Sequence, residues 1–187
     1  MGHPTIAWRR LDLDGRDAAT VRETADGWRI SGVAEFRETN TSSCLAYSIT
    51  CAHHWHTLAC DITGFARDQA VALSVRRDST STWTIDGVES TAVAGCIDID
   101  LAFSPVTNLL PIRRLAPRPG DSARVRAAWL RFPELTLDVL DQTYTRIGAN
   151  RYLYESGGGA FRRELTTDSF GLVVDYPGLW TKTDDTA

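Results

Sequence analysis

The strongest constraint in this chain is a period of two. Apolar residues recur at every second position in short segments, and turn residues separate those segments from end to end. Successive side chains of a strand point to opposite faces, so this spacing specifies half-buried strands, whereas a helix would need repeats of three and four. In "ATVRETADGWRISGVAEF" the pair Asp26-Gly27 supplies the positive φ angles of a tight hairpin, and Trp28, Ile30, Ala34 and Phe36 then share one face with Gly32 between them. "STWTIDGVES" predicts a second turn at Asp86-Gly87, with Val71, Leu73 and Val75 as the apolar face of the strand before it. Tyr47, Ile49 and Cys51 alternate in "CLAYSITCA", and another strand runs from Trp55 to Phe65. Later strands are expected over 125–129, 135–147, 151–154, 161–165 and 171–175, with Gly157-Gly158-Gly159 at a hairpin tip. A short helical turn is expected near 107–115, and no long stripe of helical period occurs. The fold class is all-β with little helix: a single-domain antiparallel β-roll or partly open barrel over residues 1–180, followed by a flexible polar tail over 181–187.

A chain of 187 residues suits one such domain, large enough to bury a sizeable core or enclose a cavity. Its net charge of −4 gives no general attraction to nucleic acid or anionic membrane, so neither is expected as a partner. The N-terminus lacks a basic start followed by an apolar run, and no stretch approaches the ~20 apolar residues of a membrane span. The expected compartment is the cytoplasm, where Cys44, Cys51, Cys60 and Cys96 are reduced, packed thiols. "CLAYSITCAHHWHTLAC" has the composition of a metal site but none of the tight Cys spacings that structural zinc uses, so no metal and no cofactor is expected. There is no Gly-x-Ser-x-Gly elbow, phosphate loop or dinucleotide fingerprint.

"GCIDIDLAFSPVTNLLPIRRL" is the densest concentration of chemistry. As a strand it places Ile97, Ile99, Leu101 and Phe103 on one face and Asp98 and Asp100 on the other, about 6.5 to 7 Å apart. Side by side on one strand, these carboxylates do not flank a bond as a glycosidase pair does. Pro105 and Pro111 stiffen the loop that follows, which is expected to hold Thr107, Asn108, Arg113 and Arg114 near the aspartates in one polar network. Carboxylates, an amide and guanidinium groups suit sugar hydroxyls; paired scaffolding or a solvated strand face is the alternative.

The same residues, Cys96, Asp98, Asp100, Leu101, Pro105, Thr107, Asn108 and the run Leu110 to Leu115, resemble the bacterial putative glycolipid-binding family. "QTYTRI" with Tyr144, "RYLYE", and the closing Asp175-Tyr176-Pro177-Gly178 extend the likeness over nearly the whole chain. The resemblance implies a spiral β-roll similar in general shape to bacterial lipoprotein carriers. It also points to an amphiphilic, glycolipid-like small molecule as partner. Around Trp55 the pattern reads "HHWHT", and Leu58 stands where similar sequences commonly carry Arg.

Two functional readings follow. In the first, the roll encloses an apolar interior lined by aromatic residues such as Trp55, Tyr144 and Tyr176, with Asp98, Asp100, Thr107, Asn108, Arg113 and Arg114 at a polar rim that binds an amphiphile. Its counterpart is a core simply filled by Trp28, Phe36, Trp83, Trp129 and Phe161, leaving a scaffold or interaction domain. In the second, an Asp acts as acid or base on a sugar or lipid ester; no partner group across a cleft can be named, which favours a binding protein over an enzyme.

Overall fold

Strand pairing in the computed structural model, which describes residues 3–183, follows the alternation strand by strand. The first wing comprises β1 (Thr5–Arg10), β2 (Asp14–Thr24), β3 (Gly27–Arg37), β4 (Ser42–Cys51), β5 (Thr57–Ala66), β6 (Gln69–Arg77), β7 (Trp83–Ile85) and β8 (Val88–Glu89). The second comprises β9 (Asp98–Leu101), β10 (Ser122–Leu130), β11 (Leu137–Arg146), β12 (Arg151–Ser156), β13 (Phe161–Thr167), β14 (Val173–Tyr176) and β15 (Trp180–Thr183). All join one open sheet in the order β8-β7-β6-β5-β4-β3-β2-β1-β15-β14-β13-β12-β11-β10-β9. The wings meet where β15 pairs with β1, so Thr181, Lys182 and Thr183 lie in a strand and not in the expected flexible tail. The rest of that expected tail, 184–187, lies outside the described residues.

Every ladder is antiparallel except β9 with β10, which is parallel. A parallel neighbour needs a long crossover. Residues 102–121 supply it, carrying a 3₁₀ turn over Pro105–Asn108 and the helix α1 (Leu109–Leu115), where the helical turn was expected.

Rolling brings the two ends of the sheet together. The Thr57 N–H donates to the Ile97 carbonyl at 3.2 Å, the Ile99 N–H donates to Thr57 Oγ1 at 3.0 Å, and Trp83 Nε1 donates to the Cys96 carbonyl at 3.0 Å. The sheet nonetheless stays open. Most inward positions of the first wing are apolar: Ile6 and Trp8, Ala19 and Val21, Ile30, Ala34 and Phe36, Leu45, Tyr47 and Ile49, Cys60 and Ile62. The crossover fills the space between the wings, with Phe103, Val106, Leu109, Leu110 and Ile112 at most 4% exposed. Phe103 packs edge-on against Tyr47 of β4, while Asn108 and Arg114 of the same segment bond to β11 and β9. Among the described residues no helix is long and apolar enough to cross a membrane.

Candidate functional site

The crossover's polar residues are bound into the protein at separate points rather than in one network. Asp98, 1% exposed, receives both arms of Arg114: Nε to Oδ1 at 3.0 Å and Nη2 to Oδ2 at 2.5 Å. Asp100 accepts from Gln142 Nε2 of β11 at 2.7 Å, and the same amide nitrogen donates to Tyr154 Oη at 3.1 Å. Burial pushes the Asp100 carboxyl up to about 6, against the lowering effect of Gln142. Tyr144 Oη donates to Asn108 Oδ1 at 2.9 Å, and Asn108 Nδ2 donates to the Pro105 carbonyl at 3.0 Å. Thr107 Oγ1 accepts the Leu101 N–H at 3.2 Å, tying the 3₁₀ turn to β9. Tyr144, Tyr154 and Tyr176 meet edge to face, with centroids 5.1 and 6.0 Å apart.

Arg113 departs from the expectation. It reaches neither aspartate; its guanidinium lies 5.4 Å from the Trp55 ring centroid and 4.8 Å from that of Phe170. Trp55 in turn stacks on Trp28 at 4.4 Å. The structure therefore joins Trp55 to Arg113 and Asn108 to Tyr144, keeps Asp98 and Asp100 on one strand face with different partners, and commits all of them to contacts within the protein. Because β9 lies at the rolled-in end of the sheet, this face of the strand is covered and not solvated.

A further buried carboxylate went unselected in the sequence. Asp17 of β2 is 1% exposed and faces inward between Trp8 and Ala19. Tyr47 Oη donates to both its oxygens at 3.0 and 3.1 Å, and the Ser104 hydroxyl donates to Oδ2 in a short hydrogen bond. Desolvation dominates these bonds and pushes the carboxyl up to about 7. Tyr47 can reach across β3 only because Gly32 lies beneath it; a Cβ there would stand 2.3 Å from Tyr47 Oη.

Open space lies on the opposite face of the same strands. A groove of about 930 Å³ crosses β1 to β5. Register explains its shape. Ala7, Ala18 and Val33 stand side by side on β1, β2 and β3, forming a low apolar floor. The neighbouring row runs Arg9, Arg16, Glu35, Cys44, Phe65 across five strands. Beyond it Asp14, Arg37 and Ser42 face one another. Val33 and Phe65, 41% and 38% exposed, supply large apolar surface to the groove. Cys44 is the one cysteine that is not fully buried, and its thiol is held above its ordinary value by desolvation and by Glu35 beside it. Sequence reasoning missed the groove because its rows form between strands; the signal available was the small residues Ala7 and Ala18 at outward positions. Among the described residues no group of three or more His, Cys, Asp or Glu side chains is gathered to hold a metal ion.

Comparison with known proteins adds the family. The profile of a family described as "Putative glycolipid-binding" matches residues 5–182. A crystal structure of a DUF1089 family protein from Pseudomonas aeruginosa is similar at a TM-score of 0.78 and 32% identity, over 88% of this chain and 91% of that one. No curated protein matches the chain.

Proposed function

Because the chain belongs to the putative glycolipid-binding family, we propose that it binds a single-chain amphiphile, the alkyl chain lying in the groove on the outer face of β1 to β5. The observation that carries this reading is the groove itself: exposed Val33 and Phe65 on a floor of alanines, bordered by charged and hydroxyl side chains. Its volume of about 930 Å³ falls within the ~300–1,000 Å³ of small-molecule sites. The interior is the less favourable place, since the crossover already occupies it with buried side chains and satisfied polar groups.

Energetics constrain the ligand. A fully buried methylene gains ~0.8 kcal/mol, so eight methylenes covered on one side only gain about 3 kcal/mol. Association costs exceed that, so the head group supplies the remainder through contacts at the groove edge.

Cys44 provides the test, because it lines the groove while Cys51, Cys60 and Cys96 are buried. Decyl maltoside below its micelle concentration is expected to slow alkylation of Cys44 in the folded protein in a saturable manner. Alkylation at an unchanged rate, with no heat of binding by calorimetry, removes the groove as the ligand site.

A further inference from the structure

We infer that the head group of the groove's ligand is anionic, a phosphate, sulfate or carboxylate close to the alkyl chain, and that Arg9 and Arg16 hold it. This rests on the groove reading above and names the ligand class within it. The first observation is register: Arg9 of β1 and Arg16 of β2 are directly opposed, pointing out of the same face into the groove. Like charges in that position repel one another and weaken the pairing of the strands. Relief within the protein is partial. Arg16 is joined to Glu35, with Nε to Oε2 at 2.7 Å and Nη2 to Oε2 at 2.6 Å. Arg9 makes no ion pair among the described residues, and neither does Arg37 on the far side of the groove.

The second observation is charge balance. Arg9, Arg16 and Arg37 line the groove; of the three acidic residues along it, Asp17 turns its carboxyl away to Tyr47 and Ser104, so only Asp14 and Glu35 stand against them on this face, an excess of one positive charge (three minus two). The whole chain carries −4. A local positive site on an acidic protein selects an anion and disfavours a cation. Guanidinium groups present paired donors that match the oxygens of phosphate, sulfate and carboxylate. The polar row stands two residues along the strand from the alanine floor, about 6.5 to 7 Å away on the same face. An anion bound there leaves its alkyl chain running over Ala7, Ala18 and Val33 toward Phe65.

The experiment compares ligands of one chain length, decyl phosphate and decyl maltoside, each below its micelle concentration, by calorimetry and by protection of Cys44 at low and high salt. The phosphate is expected to bind more tightly at low salt, by roughly three- to tenfold, and to lose most of that advantage in 1 M salt. Arg9→Gln lowers the ratio of the two affinities toward one, whereas Arg124→Gln, on the other wing, leaves the ratio unchanged. Equal affinities in the wild-type protein, or a ratio that Arg9→Gln does not alter, overturn the anionic assignment while the groove reading stands. Failure of both ligands to bind removes the groove reading and this assignment with it.

Discussion

Replacing Asp17 by Asn tests how the first wing is held to the crossover. The Asp17 carboxyl lies at about 7, against an ordinary 3.8, because its burial outweighs the donors Ser104 and Tyr47. Each pKa unit corresponds to ~1.36 kcal/mol, so ionising Asp17 in the folded protein is disfavoured by about 4 kcal/mol relative to the unfolded chain. The sign follows from proton binding. Below pH 3.8 both states hold the proton; between 3.8 and about 7 only the folded state does, so stability falls as pH rises through this window and levels off above it. From pH 5 to pH 7 the loss from Asp17 alone is about 2 kcal/mol, or roughly 4 to 8 °C in Tm for a domain of this size. Asp100, at about 6, adds a loss of the same sign in the lower part of the window. The amide introduced by Asp17→Asn keeps the shape, accepting from Tyr47 and donating to Ser104 Oγ, but does not titrate. Melting curves of both proteins from pH 4.5 to 8 should therefore diverge, with Asp17→Asn gaining on the wild type by about 2 kcal/mol between pH 5 and 7. Parallel pH profiles would refute the assignment of a proton to buried Asp17.

Gly32→Ala places a Cβ 2.3 Å from Tyr47 Oη and 2.6 Å from the Ala18 carbonyl oxygen; urea denaturation should show a loss of about 1–3 kcal/mol or more. Arg114→Ala leaves Asp98 buried without its partner and should cost about 3–5 kcal/mol. Arg113→Ala removes ring contacts and one long, exposed hydrogen bond to the Phe170 carbonyl and should cost ~0.5–1 kcal/mol, a contrast that thermal melts of the two variants resolve. In folded protein a thiol reagent should modify Cys44 alone, and slowly, because its thiol is raised; mass spectrometry should show the other three modified only after unfolding.

Strands were legible wherever one face is apolar, because alternation alone then sets which residues turn inward. The Asp86-Gly87 turn was equally legible, since both residues adopt positive φ, 49° and 80°. The first hairpin turns at Ala25 and Asp26 instead, with Gly27 already paired to Thr24, a shift of one that the dipeptide could not reveal. Parallel pairing of β9 with β10 depends on where the crossover lands, which only tertiary packing decides. The Asp98-to-Arg114 stretch was legible as a concentration of polar groups, but whether its face meets solvent, a cavity or protein depends on β9 lying at the rolled-in end of the sheet. Asp17 carried a readable signal. It shares its face with Ala19 and Val21, and a carboxylate on an apolar face needs partners, here contributed by β4 and by the crossover.

Methyl NMR on protein labelled at Ala and Val, titrated with decyl phosphate, tests the central claim most directly, because it distinguishes the outer groove from the interior. Binding in the groove should shift the methyls of Ala7, Ala18 and Val33 together and saturably, leaving Val106 of the crossover and Ala127 of β10, each 1% exposed, unmoved. Shifts at Val106 and Ala127 without changes at Ala7, Ala18 and Val33 would place the ligand inside the roll and contradict the account.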